Sequence, residues 1–177
     1  MKRLLLVLVL LLPIFAYGGE EKIAVVGCET PKYDVTDEAI INASPDVVYK
    51  AMVAEDKSWW NPYLYSKLRE GDSSGKVGVR YDITVPDIMT VKFTTKMVEV
   101  KENEMIRLHL IDGAFRGEGL WKFEGLDGKT KVSYRWRVCP AWLSLRIFGP
   151  VLPIEKNHSK VIQGGFNNLN KFLEGKK

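Results

Sequence analysis

The stretch Gly117–Val138, G-E-G-L-W-K-F-E-G-L-D-G-K-T-K-V-S-Y-R-W-R-V, restricts the fold more than any other part of the chain. Apolar and polar residues alternate along it with a period of two, and the Gly/Asp-rich Gly125–Gly128 interrupts them. It therefore reads as two strands joined by a tight turn. One parity carries Gly117, Gly119, Trp121 and Phe123, then Val132, Tyr134, Trp136 and Val138. The other carries Glu118, Lys122 and Glu124, then Lys131, Ser133, Arg135 and Arg137, with Leu120 its one apolar member. One face is expected to meet water. The opposite face is aromatic but has two glycines where side chains would fill it, which points to a cavity rather than a solid core.

The remaining chain supplies neighbours for that hairpin. A first strand is predicted at Val35–Asn42. Ser44-Pro45-Asp46 then carries helix-start chemistry: an N-cap serine, proline at the first helical position and an acid in the first turn. The helix Pro45–Ala54 places Val47, Val48, Ala51 and Met52 on one side, and Trp59–Tyr63 forms a second short helix or turn. Further strands are predicted at Leu64–Glu70, Val77–Thr84, Met89–Val100, Met105–Asp112, Arg116–Glu124 and Thr130–Val138. Short links with turn residues between them favour an antiparallel meander. An apolar, proline-punctuated connector, Trp142–Pro153, leads to an amphipathic helix over Ile154–Leu173. The expected class is α+β: a curved seven-stranded antiparallel sheet around a long C-terminal helix, with two short helices after strand 1. Such a sheet curls around the helix without the two surfaces meeting everywhere.

The first residues stand apart. Lys2 and Arg3 precede the unbroken apolar run Leu4–Leu12, then Pro13 and Ala16-Tyr17-Gly18, the layout of a secretory signal. The run is short for a membrane span, which takes about 20 apolar residues. Residues 1–18 are thus expected to be a signal peptide, 19–33 a lead segment and 34–175 a ligand-binding domain in the periplasm or outside the cell. The alternative is an uncleaved N-terminal membrane anchor. Val25-Val26-Gly27-Cys28 has the residue types of a lipoprotein box, but Glu20, Glu21 and Lys22 separate it from the apolar run. Removing residues 1–18 takes the formal charge from +4 to +2, too weak and too evenly spread to argue for nucleic acid.

Two cysteines in an exported chain invite pairing. Cys28 lies just ahead of the first predicted strand and Cys139 closes the last. If those strands are antiparallel neighbours, a Cys28–Cys139 bridge closes a loop of roughly 110 residues, worth about 3–5 kcal/mol in the chain-entropy account. Two unpaired thiols are the other reading.

The segment Ile40–Tyr49, I-I-N-A-S-P-D-V-V-Y, has a strand, an N-cap, a proline and a helix in close order. Further on come Phe115–Gly119, Trp121-Lys122-Phe123, Thr130-Lys131-Val132, Tyr134-Arg135-Trp136 and finally Asn157-His158. Together these resemble the START-like, or helix-grip, superfamily, which includes polyketide cyclase/dehydrase relatives, lipid-transfer domains and plant pollen-allergen-type carriers. The later motifs are similar to a bacterial subgroup, which usually has tryptophan where Trp59-Trp60 stands here. The resemblance covers Val35–Leu173 and implies a fold more than an activity, because members range from enzymes to carriers.

His158 is the sharpest site candidate. It shares helical spacing with Ile154, Val161, Ile162, Gly165 and Leu169 and is expected to face the sheet, where it would orient a ligand or move a proton. A histidine satisfied by its own surroundings is the plainer reading. Trp59, Trp60, Tyr81, Trp121, Tyr134 and Trp136 are candidate cavity walls, with Gly119 and Ile162 beside them, and ordinary core packing is their alternative. One of the adjacent Trp59 and Trp60 is expected at the entrance. Glu118 and Arg116 point outward on simple alternation, unless a bulge at Gly117 or Gly119 turns Glu118 inward as a buried base. Gly164-Gly165 implies either close backbone approach at the cavity or tight packing. Ligand-like spacing of His and Cys is missing, so neither a metal nor another cofactor is expected. Phosphate-loop and serine-nucleophile motifs are missing too.

Two functions from different classes remain. The first is a carrier holding a small hydrophobic molecule, a lipid or polycyclic compound, gated by Trp142–Pro153; membrane contact would arise only through an uncleaved signal or ligand exchange. The second is a cyclase, dehydrase or isomerase in which His158 acts as acid or base with Tyr134 or an inward Glu118. A third, a partner-binding factor using the Trp59–Tyr63 surface, requires a filled interior and an exposed patch there.

Overall fold

Short links between successive strands decide the topology. In a computed structural model, which describes Val25 and residues 27–72, 75–86 and 90–175, the strands are β1 (Tyr33–Ile41), β2 (Tyr65–Glu70), β3 (Arg80–Val85), β4 (Val91–Lys101), β5 (Met105–Gly113), β6 (Phe115–Leu126) and β7 (Lys129–Pro140). They form one seven-stranded sheet in the order β1-β7-β6-β5-β4-β3-β2. The signal segment 1–18, residues 19–24 of the lead, and Ser73, Ser74 and Met89 of the expected turn and strand lie outside the described residues.

Every neighbouring pair is antiparallel. Register shifts along β4, between Thr94 and Thr95 and again between Met97 and Glu99, are the bulges that bend a sheet of this kind. The first strand closes on the last, with Tyr33 opposite Val138 and Ile41 opposite Thr130. That pairing brings the lead to the end of β7, where Lys32 N–H donates to the Val138 carbonyl at 2.9 Å. Cys28 and Cys139 are bridged there, their Cα atoms 5.5 Å apart.

Helix α1 (Pro45–Val53) starts as its residues require: Ser44 is extended, Pro45 occupies the first turn, and Asp46 supplies the acid. A 3-10 turn follows at Ser58–Trp60. The connector is more ordered than its prolines imply. Leu143–Phe148 forms a helix, α2, and Gly149–Val151 a second 3-10 turn, because Pro150 falls in the first turn of that second element, where a missing N–H costs nothing. Helix α3 (Ile154–Glu174) then crosses the concave side of the sheet.

Ile162, Phe166, Leu169 and Leu173 bury the apolar stripe of α3. Polar residues on its other flank tie it to β1: Asn170 accepts from Asn42 N–H at 2.8 Å and donates to the Ile40 carbonyl at 3.0 Å. The glycine pair has a packing reason. A Cβ on Gly164 would overlap the Tyr63 ring, and one on Gly165 would overlap the Trp60 ring. The close approach is therefore to Trp60 of the 3-10 turn and to Tyr63 just after it, not to the sheet. The result is the helix-grip arrangement: a curved antiparallel sheet wrapped on one long helix.

Candidate functional site

The inward parity of the sheet and the stripe of α3 do not meet along their whole length. Between them is a cavity of about 430 Å³, within the range typical of small-molecule sites, roughly 300–1,000 Å³. The sheet lines it with Tyr81, Phe93, Phe115, Trp121, Tyr134 and Trp136, together with Met97, Ile106 and Leu108. From the helices come Met52, Trp60, Asn157, His158, Val161 and Ile162. Lys57 also reaches the lining, and Leu145, Leu152, Pro153 and Ile154 border it on the connector side.

Ring stacking fixes the walls. Trp121 and Tyr134 lie 4.0 Å apart at 16°, and Trp60 meets the edge of Trp121 at 6.1 Å. Gly119 does not line the cavity. A Cβ there would come within 2.7 Å of Tyr134 Cε2 and 2.8 Å of Leu108, so the missing side chain is room already taken by the Tyr134 ring. The rings of Trp121 and Tyr134 line the hollow, and the glycine does not. Trp59 and Trp60 are both 5 % exposed and stack at 4.5 Å, so neither stands at an entrance. Trp60 faces the cavity, and Trp59 stacks behind Trp60 without lining it. The Trp59–Tyr63 segment is thus not an exposed apolar patch over a filled interior.

His158 stacks on Trp136, centroids 4.2 Å apart at 9°, and is 5.7 Å from Tyr134. Its Nε2 is buried without a hydrogen-bond partner. Loss of water pushes the imidazole down to about 3, so it is neutral at physiological pH. Asp37 Oδ2 stands 3.6 Å from Nε2, too long for a hydrogen bond, and burial decides the charge state. Asp37 is 6 % exposed and is itself held by Ser159 Oγ at 3.2 Å and Gln163 Nε2 at 3.4 Å. Burial, and then the Asp37 charge, push the Tyr134 hydroxyl up.

At the α1 side, Lys57 Nζ lies 4.3 Å over the Tyr81 ring and donates to the Ala54 carbonyl at the end of α1. Burial lowers its ammonium to about 8, with Glu55 opposing. The Tyr81 hydroxyl is buried without a partner. Asp37 and Lys57 were not singled out from sequence. Asp37 carried a signal, since Tyr33, Val35, Asp37, Ala39 and Ile41 share one parity of β1. Lys57 carried none, because the turn after α1 aims it.

Glu118 points outward as simple alternation gives, and departs from the sequence reading in its burial. Its strand pairs continuously with β7, Glu118 opposite Arg137 and Gly119 opposite Trp136, so no bulge turns it inward. It lies on the outer face, yet it is only 6 % exposed. Arg107 and Arg137 hold its carboxylate at 3.1 and 3.4 Å from neighbouring strands. Glu118 and His158 are on opposite sides of the sheet, so the pair cannot share one proton-transfer step. Arg116, half-buried, pairs with Asp112 at 3.3 Å on that same outer face. Among the described residues, no group of three or more His, Cys, Asp or Glu is placed to hold a metal ion.

A curved sheet gripping one helix over an aromatic hollow defines a class of small-molecule-binding domains. The sequence model for polyketide cyclase/dehydrase and lipid transport matches residues 41–153, more than half of the chain, and the chain belongs to that family. No curated protein matches it in sequence. Among solved structures it is similar to protein CV1439 from Chromobacterium violaceum, with a TM-score of 0.62, 16 % identity, and coverage of 80 % of this chain and 96 % of that one. It is also similar to major latex-like protein 151 from Panax ginseng, with a TM-score of 0.63, 11 % identity and coverage of 79 % and 96 %. A third is the di-domain ARO/CYC StfQ of the steffimycin biosynthetic pathway, with a TM-score of 0.60 and 15 % identity. There the match covers 81 % of this chain but 51 % of that one. At these identities the likeness concerns the fold alone.

Proposed function

We propose that the chain is an exported carrier that holds one hydrophobic small molecule, a lipid or polycyclic compound, between the sheet and α3. The observation behind this reading is the cavity of about 430 Å³, walled by stacked aromatic rings and holding a buried, unpartnered His158 Nε2. Such a site binds mainly by apolar contact and orients its guest through a few polar atoms. The family's range, from cyclases to lipid transport, supports a hydrophobic guest. Export is supported by the apolar run Leu4–Leu12 after Lys2 and Arg3, and by a bridged Cys28 and Cys139.

A second reading has one observation in its favour: Asp37 lies 3.6 Å from His158, with Tyr134 nearby, as an acid–base centre for a cyclase, dehydrase or isomerase would require. Burial pushes His158 down to about 3, well below the near-neutral pKa at which general bases work best, which supports binding over proton transfer.

The test is native purification, followed by solvent extraction and mass spectrometry. The carrier reading expects one co-purifying hydrophobic species in near-stoichiometric amount, retained by the chain and recovered unchanged after incubation. Conversion of that species into a second compound, abolished by His158→Gln, would establish the enzyme reading instead.

A further inference from the structure

The described surface has an uneven distribution of large apolar side chains. Leu143, Ile147, Phe148, Val151 and Leu152 are 69, 59, 55, 80 and 37 % exposed, all within ten residues of α2 and the turn after it. Contiguous exposure of this kind marks an interaction surface. The same segment reaches the cavity, since Leu145, Leu152 and Pro153 line it. The patch and part of the cavity wall therefore belong to one short element.

We propose that α2 and its following turn dock on a lipid bilayer bearing anionic headgroups, with the connector side of the cavity set against the membrane. The flanking charges favour a bilayer with anionic headgroups over a protein partner: among the described residues next to the patch in sequence, Arg146, Lys156 and Lys160 are exposed, against Glu155. Apolar residues that enter the headgroup boundary beside cations that meet lipid phosphates are the pattern of an interfacial segment. A cavity wall held there would let an apolar guest pass between bilayer and cavity with little exposure to water. That purpose rests on the carrier reading; the docking does not.

Docking is tested in the full chain with Val151→Cys carrying an environment-sensitive fluorophore, Cys28 and Cys139 being paired and unreactive. A label at Leu126→Cys, the last residue of β6, opposite Lys129 at the start of β7, is the control. Adding phosphatidylglycerol-containing vesicles, with no guest present, is expected to shift emission to the blue at position 151 and not at 126. The shift should shrink with phosphatidylcholine alone, with added salt and with Arg146→Glu. No shift at 151, or equal shifts at both positions, overturns the proposal. A shift without vesicles overturns it too: if it grows with protein concentration, a second copy covers the patch, and if it does not, the chain's own Leu4–Leu12 run does. Because no guest is involved, failure here leaves the carrier reading standing.

Discussion

His158 lies flat on Trp136, the two rings 4.2 Å apart and 9° from parallel, and so exchanges hydration for an indole face. The exchange has a cost that pH exposes. In the unfolded chain the imidazole takes up a proton near its ordinary value of about 6.5, whereas in the folded chain it does so only near 3. Unfolding thus gains a proton at acid pH. His158's share of stability is complete above about pH 6.5 and is lost progressively as the pH falls toward 3. Between pH 7 and 4.5 the loss comes to about 2–3 kcal/mol, roughly two units at 1.36 kcal/mol each. Denaturant unfolding at those two pH values should show this difference in the wild type and a smaller one in His158→Gln. Equal pH slopes in the two proteins would contradict the assignment.

Glu118 predicts a loss of stability without a loss of binding. Its carboxylate neutralises Arg107 and Arg137 on the outer face, and the side chains of Glu118 and Arg137 are 8 % and 4 % exposed. Arg107 keeps Glu99 at 3.1 Å and Arg137 keeps Asp34 at 3.7 Å, so removing Glu118 loses its charge-assisted hydrogen bonds rather than leaving two bare charges, at about 1–3 kcal/mol. Glu118→Ala should lower the unfolding free energy in urea by that order, while the affinity for an apolar probe in the cavity stays unchanged below the transition. A change in affinity with stability intact would place Glu118 in the site.

Gly165 predicts sensitivity at a position where helix propensity alone would welcome alanine. A Cβ there overlaps the buried Trp60 ring, which also meets Trp59 and Trp121. Overpacking of this kind costs about 1–3 kcal/mol. Gly165→Ala should therefore unfold at a lower temperature than wild type, and Gly125→Ala, whose nearest neighbour would be Pro45 at 3.5 Å, should be tolerated. A stabilised Gly165→Ala would mean that Trp60 does not rest on α3.

The Cys28–Cys139 bridge closes a separation of 111 residues and fastens the lead to the end of β7. A loop of that length is worth about 4–5 kcal/mol in the chain-entropy account. Thermal unfolding with and without reductant should differ accordingly, and the double variant Cys28→Ser/Cys139→Ser should no longer respond to reductant. A reductant-insensitive wild type would show that the thiols are not joined.

Alternation and turn chemistry were enough to place the seven strands and the long helix, because each is a local property of a few neighbouring residues. Most of the cavity wall was legible for the same reason: Trp121, Tyr134 and Trp136 share the buried parity of the hairpin, and His158 and Ile162 share the stripe of α3. What failed depended on register and on aim. Glu118 looked solvated because its own strand says nothing of Arg107 and Arg137, which only the pairing of β5, β6 and β7 brings together. Gly119 looked like a void because the position of the Tyr134 ring is a tertiary fact. The helix Leu143–Phe148 was hidden by prolines that in fact lie after it. Asp37 was passed over as one polar residue in a strand, although its parity with Val35 and Ala39 already placed it on the buried side.

The central claim is an apolar hollow open to a guest between the sheet and α3. Leu108 lines it from β5. The direct measurement is titration of an apolar fluorescent probe into the delipidated wild type and into Leu108→Trp, both first shown to be folded by near-ultraviolet circular dichroism. Saturable binding of one probe per wild-type chain, sharply weakened in Leu108→Trp, is the predicted result. No saturable binding to the folded wild type, or equal affinity in the filled variant, would contradict it.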